Sequence, residues 1–447
     1  MPTPPTPPIP PTPAPRLTRG SAGCRPPAPV RAVHLGLGAF HRAHQAVYTT
    51  ADPEWGIAAY TFRNTELPRL LTEQDGLYTL LLRGNGAPRA EIVDSISRAH
   101  PGGDTGRWLA DLASPDVAVL TLTITEAGYR VAADGTGTAI DRVLAGLRAR
   151  HRAGGAPIAL VPCDNLPGNG GVLREALGRA AANEDPGFRS WIEENVSFVD
   201  TVVDRITPAT AEDDSVTAAE LTGFDDHAPV VTEPFNEWLL AGDFPLGRPS
   251  WEHAGARFVD DLAAYEQRKL WLLNGAHTLL AYVGPTLGCT TVDEAVRHPV
   301  PAALTESWWD TATRHASLPA EDLAGYRERL LRRFSSRGIR HNLVQIAAGG
   351  SSKIPARILP VLRAERSRQR LPEAPVATLA GWLIHLRDRQ VDDPRADELV
   401  SLARSDDAAR RVLSALDADL ADDRELITAV DDYVDHLRHA ADRSPST

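Results

Sequence analysis

The first half of the chain alternates short apolar runs with amphipathic stretches. The apolar runs are rich in β-branched residues and predict buried strands; they read "RAVHLGLGAF", "GIAAYTF", "LYTLLLR", "DVAVLTLTIT", "PIALVPC" and "VSFVDTVVD". Between several of them lie stretches with helical periodicity, namely "TGRWLADLA", "AIDRVLAGLRARH" and "GVLREALGRAAANE". Strands that alternate with helices predict an α/β domain with a doubly wound, mostly parallel sheet.

The second half has a different pattern, in which candidate strands become rare after about residue 230. Amphipathic helical stretches dominate there, for example "PAEDLAGYRERLLRRF" and "DDRELITAVDDYVDHLRHA". We therefore predict an α/β domain over residues 30–228 and a mainly α-helical domain over residues 229–447. Residues 1–29 are proline-rich, lack the apolar segment of a secretory signal, and predict a disordered tail.

Composition excludes several classes of function. The net charge of -12 argues against binding to nucleic acid or to anionic membrane surfaces. The three cysteines, Cys24, Cys163 and Cys289, are too widely separated for a disulfide framework or a metal-binding pair. No apolar run approaches the ~20 residues that span a bilayer. The sequence thus predicts a cytoplasmic protein without a paired-cysteine metal site.

A glycine turn follows the first predicted strand. The segment "VHLGLGAFHRAHQA" places Gly36 and Gly38 between that strand and a helix. In a dinucleotide-binding turn, the first glycine makes the bend and the second lets the backbone approach the pyrophosphate. His41 occupies the third position of the G-x-G-x-x-G pattern, so the match is incomplete. The context still predicts a Rossmann-like domain, in which Gly36, Gly38, Ala39, Phe40 and His41 contact the cofactor.

The end of the second strand bears on cofactor choice. An acidic residue at this point normally binds the ribose of NAD. Here "GIAAYTF" is followed by Arg63 and Asn64, and the first acid is Glu66. Arg63 can meet the 2′-phosphate of NADP, or it can be a solvated surface residue. The sequence therefore leaves NAD or NADP open.

Lysine is almost absent from this chain. Of 47 basic residues, only Lys269 and Lys353 are lysines. Arginine keeps its charge, so of these two residue types only lysine can act as a general base near neutral pH. Lys269 lies in "QRKLWLLNGAH", which predicts a buried α-helix that turns Lys269, Asn274 and His277 toward one side. A base, an amide and an imidazole suit the oxidation of an alcohol to a ketone. The alternative is a surface lysine retained by chance.

One competing motif overlaps this stretch. Tyr265 and Lys269 have the Y-x-x-x-K spacing of short-chain dehydrogenases, in which the tyrosine is the acid and base. In those enzymes the motif lies within the Rossmann domain, whereas here it lies in the helical half. We therefore expect Tyr265 to have no catalytic role.

Several motifs together resemble those of the mannitol dehydrogenase family. They are "GLGAFHRAHQAVYT", "TITEAGY", "PCDNLPGNG", "VDRITPAT", "TEPFNEWLL" and "KLWLLNGAH", and the resemblance covers residues 32–365 in order. The family includes mannitol 2-dehydrogenase and fructuronate reductase. The resemblance implies oxidation of a secondary alcohol with a nicotinamide cofactor and without a catalytic metal. Members are often monomers, but the sequence carries no independent signal on assembly.

The resemblance also implies roles for six residues. They are Lys269 (general base), Asn165 and Asn274 (amides that hold the reacting oxygen), His277 (substrate positioning), Asp204 (beside the substrate) and Glu126 (proton relay to solvent). Two of these roles have plain structural alternatives: Asp204 can pair with Arg205, and Glu126 can be an ordinary residue at a strand end.

The substrate is less well defined by the sequence. In "GGSSKIPAR", Gly349 stands where the family usually has an aspartate, and Lys353 is kept. Lys353 can bind substrate or form a structural ion pair. His341, Gln345 and Arg357 resemble the fructuronate reductase pattern, and extra cations suit a carboxylate-bearing substrate.

These features favour the D-mannonate/D-fructuronate pair. The alternative within the family is mannitol 2-dehydrogenase, which acts on the D-mannitol/D-fructose pair, or another polyol dehydrogenase. An alternative of another class is a catalytically inactive nucleotide-binding sensor, whose sign would be a broken set of lysine, asparagine and histidine.

Overall fold

The computed structural model describes residues 14–129, 137–338 and 341–443. Contacts divide the chain into two compact units, of which the first ends at Leu262 and the second begins at Ala263. The first unit is an α/β structure and the second is mainly helical, so the predicted fold class is confirmed.

The strands of the described residues all belong to the first unit. They are β1 (Val30–Leu35), β2 (Gly56–Tyr60), β3 (Tyr78–Leu82), β4 (Arg89–Val93), β5 (Ile96–His100), β6 (Val119–Leu122), β7 (Ile158–Pro162), β8 (Val196–Phe198), β9 (Asp200–Asp204), β10 (Val230–Thr232), β11 (Glu237–Ala241) and β12 (Arg257–Phe258).

The largest sheet has six parallel strands in the order β5-β2-β1-β6-β7-β8. Counted along the chain within this sheet, the order is 3-2-1-4-5-6, which is that of the Rossmann fold. Neighbouring side chains of β1 serve opposite faces: Ala32 belongs to one apolar cluster, while Val33 and Leu35 belong to another. Burial on both faces explains why these strands read as continuous apolar runs.

Ten helices connect and flank these strands among the described residues. They are α1 (Arg19–Ala22), α2 (Ala39–Ala43), α3 (Gln45–Thr49), α4 (Glu66–Glu73), α5 (Thr105–Ala113), α6 (Thr125–Gly128), α7 (Ala139–Arg152), α8 (Asn169–Ala180), α9 (Pro186–Asn195) and α10 (Glu212–Thr222).

Two smaller sheets carry the chain past the predicted domain boundary. One has the order β10-β3-β4, and the other has the order β12-β11-β9. Because β10 pairs with β3 and β11 pairs with β9, residues 230–262 stay in the first unit. The boundary expected between residues 228 and 229 therefore differs from the structure, which divides after Leu262. The apolar run "LYTLLLR" forms β3, which lies outside the six-stranded parallel sheet and pairs antiparallel with β4.

The proline-rich start of the chain is partly ordered. Residues 1–13 of the predicted tail lie outside the described residues. From residue 14 onward the chain packs on the first unit, where Leu17 is fully buried and its N–H bonds to the carbonyl of Asp225. The Arg19 guanidinium donates to the carbonyls of Asp75, Arg25 and Asp94. These contacts explain why the prediction of disorder does not hold for residues 14–29.

The second unit is built from helices, among them α11 (Ala263–Arg268), which continues through a π-helical segment (Lys269–Gly275) into α12 (Ala276–Val283). The others are α13 (Val292–Ala295), α14 (Pro299–Thr313), α15 (Ala320–Phe334), α16 (Leu343–Ala347), α17 (Gly350–Arg357), α18 (Leu359–Arg366), α19 (Glu373–Asp388), α20 (Ala396–Ala403), α21 (Ala408–Ser414), α22 (Ala418–Ala421) and α23 (Arg424–Arg443). Helices α12 and α19 are almost wholly buried. No helix in the described part of the chain is long and apolar enough to cross a membrane.

A buried arginine joins the strands of the large sheet to their helices. The Arg150 guanidinium is 1% exposed and donates to the carbonyls of Ala156, Leu112, Ser114, Val117 and Pro157. Burial lowers the pKa of Arg150 to about 10, which leaves it charged at neutral pH. This one side chain thus satisfies main-chain oxygens from the ends of α5 and from the entries to β6 and β7.

We expect Arg150→Met to lower the free energy of unfolding by at least about 3 kcal/mol, because several buried carbonyls lose their donors. The exposed neighbour Arg152 is a matched control, and Arg152→Met should change the value by less than about 0.5 kcal/mol. Urea unfolding followed by tryptophan fluorescence measures both. Equal stabilities for the two variants would contradict the role given to Arg150.

Candidate functional site

The glycine turn lies where the strand order of the large sheet reverses. Strand β1 has β2 on one side and β6 on the other, and ligands of such sheets bind at the carboxyl ends of strands at this point. Gly36 follows β1 with φ +110°, and a side chain there would bring a Cβ within 2.1 Å of the carbonyl of Thr123. The Thr123 hydroxyl donates to the Gly36 carbonyl over 2.8 Å. Only glycine therefore fits at this bend.

The second glycine leaves open space. Gly38 precedes α2, and a Cβ at Gly38 would contact only the carbonyl of Gly36, at 3.6 Å. Gly38, Ala39 and Phe40 are partly accessible. This part of the turn can therefore receive a ligand, as the sequence predicts for a cofactor backbone.

The third glycine position is filled by a pair of neutral histidines. His41 is fully buried and stacks on His34 of β1, with ring centroids 3.4 Å apart and planes 10° from parallel. Burial lowers the pKa of His34 to about 3 and lowers that of His41 well below its usual value. Two uncharged rings can stack without repulsion, so His41 replaces the close helix-to-strand packing that glycine normally provides.

Arg63 lies in the exposed turn between β2 and α4. Its side chain makes no ion pair with any residue that the structure describes. The nearest acid in sequence, Glu66, pairs instead with Arg69. The Asn64 carboxamide oxygen accepts from the N–H groups of Glu66 and Leu67. No carboxylate ends this strand, which keeps a 2′-phosphate contact by Arg63 open.

A buried carboxylate holds a strained turn after β6. Thr125 has φ +63°, a left-handed conformation that costs energy for a β-branched residue. Asp164 accepts from the N–H groups of Ile124 and Thr125 at 2.9 and 2.8 Å, and from the Tyr129 hydroxyl at 2.7 Å. Burial raises the pKa of Asp164, and these hydrogen bonds oppose the rise. Glu126 follows in α6, and its side chain lies outside the described part of the structure.

Asn165 follows Asp164 in the turn after β7 and is exposed. A second asparagine fixes this turn: Asn169 is fully buried and donates to the carbonyls of Asp164 and Thr201 at 3.0 Å. The Thr201 N–H donates back to the Asn169 side chain. The turn that carries Asn165 is thus tied to the neighbouring strand β9.

Asp204 is the last residue of β9 and is buried, with Glu237 of β11 as its register partner. The neighbouring Arg205 donates to the carbonyls of Glu233 and Ala43. The place of Asp204 beside the substrate and its pairing with Arg205 both remain predictions.

In the second unit, the stretch that carries Lys269 differs from the expected α-helix. Residues Lys269–Gly275 form a π-helix, which is wider than an α-helix, between α11 and α12. Lys269 opens this segment, Asn274 lies near its end, and both are partly accessible. The preceding Arg268 is 1% exposed and stacks on the ring of Tyr326 at 4.0 Å. Because π-helical turns are rare and cluster at functional sites, this segment is a strong site candidate.

Two tryptophans donate hydrogen bonds to the π-helical segment. Trp308 and Trp309 of α14 donate their indole N–H groups to the carbonyls of Trp271 and Leu272, each over 2.8 Å. Gly275 lies against the Trp308 ring, and a Cβ there would come within 2.5 Å of it. Donors from outside the helix thus contact carbonyls that an ordinary helix would satisfy alone.

His277 follows the π-helical segment and is buried. Its ring stacks on Phe334 at 4.6 Å and meets the edge of His341 at 5.0 Å. Its Nε2 atom has no hydrogen-bond partner among the described residues. Burial, followed by the nearby charges of His341 and Arg333, lowers the pKa of His277 well below its usual value. The ring is therefore a neutral group with one unsatisfied nitrogen.

The basic residues expected to bind substrate gather around this histidine. Lys353 and Arg357 lie on α17, and both act on the pKa of His277. Arg357 donates to the Thr278 hydroxyl over 3.2 Å, and that hydroxyl donates to the carbonyl of Asn274. Burial lowers the pKa of Arg357 to about 10, and burial followed by the charge of Arg357 lowers the pKa of Lys353.

Lys353 also donates to the carbonyl of Ile346 over 2.9 Å, a main-chain contact and not the ion pair weighed as its alternative. The pKa of His341 is lowered by burial and then by Arg333, and its Nδ1 atom has no partner among the described residues. Gln345 lies on α16 and is exposed. Lys353 and Arg357 therefore form a cationic cluster near His277, whereas His341 is a neutral ring and Gln345 lies at the surface.

Sequence reasoning missed four residues that hydrogen-bond to the turns and the helix on which the predicted site residues lie. They are Asp164, Asn169, Trp308 and Trp309. Asp164 stands inside the quoted motif "PCDNLPGNG", so its position was a usable signal. The tryptophan pair had no signal, because its partners lie 37 residues earlier. Within the described residues, no group of three or more His, Cys, Asp or Glu side chains can hold a metal ion.

Both units match one protein family. The pattern of the Mannitol dehydrogenase Rossmann domain matches residues 30–253, and that of the Mannitol dehydrogenase C-terminal domain matches residues 261–438. The two matches meet near the division between the structural units at Leu262.

Individual relatives agree with this match. The D-mannonate oxidoreductase of Escherichia coli is 34% identical over 86% of this chain and 87% of its own length. The solved mannitol 2-dehydrogenase of Pseudomonas fluorescens, a ternary complex with NAD and D-mannitol, is 30% identical with a TM-score of 0.77, covering 96% of this chain and 95% of that one. A substrate-free D-sorbitol dehydrogenase is 26% identical with a TM-score of 0.87, covering 95% and 99%. The chain is therefore an oxidoreductase that belongs to the mannitol dehydrogenase family.

Proposed function

We propose that this chain interconverts a secondary alcohol and a ketone on an open-chain sugar acid or sugar alcohol, with NAD or NADP as the hydride carrier. Our best substrate pair is D-mannonate and D-fructuronate, and the alternative is D-mannitol and D-fructose. The observation that carries the proposal is the π-helical segment, which begins at Lys269 and carries Asn274 about one turn before the neutral His277.

Each of these groups has a task that its chemistry suits. Lys269 takes the hydroxyl proton as the alcohol is oxidised and returns it in the reverse direction. Asn274 donates its amide N–H to the oxygen, which gains negative charge as the proton leaves. His277 positions a neighbouring hydroxyl through its unsatisfied Nε2. This set needs no catalytic metal, because the amine and amide supply the proton transfer and charge stabilisation.

The remaining family roles are proposals from resemblance. Asn165 donates to the reacting oxygen, Asp204 lies beside the substrate, and Glu126 passes the proton from Lys269 to solvent. The strained turn at Thr125 supports the last of these, because strain is retained where the chain needs one particular geometry.

The cofactor proposal rests on the first unit. When bound, the nicotinamide accepts or returns the hydride. The bend at Gly36 and the open space at Gly38 fit a dinucleotide backbone at the carboxyl end of β1. Ala39 and Phe40 line the same turn, and His41 supports it from the core. Arg63 is then the residue that decides between NAD and NADP.

The substrate proposal rests on the cationic cluster of the second unit. The charges of Lys353 and Arg357 are close enough to lower the pKa of His277, and both side chains are partly buried. Asp392 and Asp393 offset the burial of Lys353, whereas Arg357 is offset by the Tyr282 hydroxyl and by no described carboxylate. Burying the Arg357 cation without a paired anion is unfavourable. A substrate carboxylate supplies that anion, whereas a polyol does not.

We expect Lys269→Ala to lower kcat by a factor of about 10² to 10⁴, because the base is lost. Lys269→Arg should lose as much activity, since arginine keeps the charge but cannot release its proton. Absorbance of the reduced cofactor over a panel of hexonates and hexitols measures both variants. Tyr265→Phe is the control and should behave as wild type. Wild-type kcat in Lys269→Ala would overturn the assignment.

We expect Arg357→Met to lower kcat/KM about 10- to 100-fold for a sugar acid, through loss of a charge-assisted hydrogen bond. The loss should be much smaller for the matching sugar alcohol. Arg363→Met is the matched control, because Arg363 pairs with Asp417 and Asp419 at the surface. Equal losses for acid and alcohol would favour a polyol substrate over a hexuronate.

We expect Arg63→Ala to lower kcat/KM for NADP about 10- to 100-fold while changing that for NAD little, because one charged contact to the 2′-phosphate is lost. Arg69 is a nearby surface arginine held by Glu66, so Arg69→Ala is the control. An unchanged ratio between the two cofactors in Arg63→Ala would show that Arg63 does not contact the 2′-phosphate.

A further inference from the structure

The two indole bonds to the π-helical segment are unusual in their pairing. Trp308 and Trp309 are consecutive on α14, and their acceptors, Trp271 and Leu272, are consecutive too. Both tryptophans are at most 1% exposed, so solvent does not compete for these bonds. An inserted donor is a known cause of local helix distortion. Two adjacent donors thus act on two adjacent carbonyls of the π-helical segment.

We propose that Trp308 and Trp309 are positioning residues that hold Lys269–Gly275 in its wide form and thereby orient Lys269 and Asn274 toward the substrate. This inference rests on the proposed function of Lys269. Neither tryptophan contacts the reacting atoms through its indole N–H, because that group donates to a main-chain oxygen. They act through the backbone of the helix.

The end of the segment is fixed by shape as well as by hydrogen bonding. The Trp308 ring occupies the space where a side chain on Gly275 would lie, at 2.5 to 2.8 Å from the Cβ position. Glycine therefore lets the indole approach the backbone closely enough to reach the Trp271 carbonyl. The bare Gly275 and the Trp308 indole form one fitted contact.

The wide form matters because it sets the direction of the base. Each residue of an α-helix turns the chain by about 100°. If the segment relaxed into α-helical form, Lys269 would rotate by about that angle relative to His277. A misplacement of about 1 Å can cost about 10²-fold in rate. The amine would then lie at a different angle to Asn274 and His277 from the one that the π-helical segment gives it.

The direct test replaces one indole at a time. Trp308→Phe and Trp309→Phe keep an aromatic ring and remove the N–H donor. Each should lower kcat at least about tenfold and displace the pH profile of kcat, with the dissociation constant for the cofactor unchanged. The matched control is Trp191→Phe, because the Trp191 indole also donates to a carbonyl, that of Gly155, but lies in the first unit. This control can lower the melting temperature but should leave the pH profile as in wild type.

A second measurement reads Lys269 without enzyme activity. The chain has two lysines, so reductive methylation with isotope-labelled formaldehyde labels only three amines, namely Lys269, Lys353 and the N-terminal amine. The Lys269 signal is assigned by its loss in Lys269→Arg. The titration midpoint of the Lys269 signal should shift in both indole variants and stay fixed in Trp191→Phe. If a phenylalanine variant does not fold, benzothienylalanine at the same position keeps the ring shape and replaces the N–H with sulfur.

The two results separate the two proposals. A wild-type protein that reduces no ketose or keto acid refutes the proposed function, and the lysine titration still decides whether the indoles orient Lys269. An unchanged Lys269 titration and an unchanged pH profile in both indole variants would overturn the positioning role, whatever the wild-type activity.

Discussion

Hydrogen bonding from α14 to the π-helical segment is the constraint on which the proposed site of the second unit depends. The segment Lys269–Gly275 departs from α-helical form, and the indoles of Trp308 and Trp309 contact its carbonyls. The apolar core of the second unit supplies these donors, because it contains buried tryptophans whose indole N–H groups bond to main-chain oxygens. Its packing therefore serves a local backbone shape as well as stability.

The same constraint explains the pairing of unlike basic residues. Arg268 is buried and stacks on Tyr326, where a permanent planar charge is suited to an aromatic face. Lys269 begins the wide segment and stays partly accessible. Neighbouring positions thus take different basic residues because one packs and the other, on our proposal, exchanges a proton. In the first unit, strain is held in a comparable way: the carboxylate of Asp164 fixes the left-handed Thr125.

Much of this was accessible from the sequence, for identifiable reasons. Strands β1, β2, β6 and β7 are buried on both faces, so they appear as apolar runs, and Gly36 marks a bend that no other residue fits. The cationic cluster was traceable to Lys353 and Arg357, which lie on one short helix. The cytoplasm and the assembly state remain predictions.

Other features depend on contacts distant in sequence. The division after Leu262 follows from β10 and β11 pairing with earlier strands, and the order of residues 14–29 follows from Leu17 and Arg19 binding to the first unit. On our proposal, the π-helical segment depends on α14, which comes later in the sequence than α11 and α12. Hydrophobic periodicity reports only on the residues of one segment. The assumption of 100° per residue therefore could not predict the π-helical form, which involves contacts from another helix.

Chemical rescue of Lys269→Ala by small primary amines tests the central claim most directly, that the amine of Lys269 is the base. Our account predicts that methylamine restores turnover in proportion to the concentration of its uncharged form, and so increasingly at higher pH. Lys269→Arg, whose side chain still fills the space, should not respond. Absence of rescue at any amine concentration, in a variant that still binds cofactor, would contradict the account.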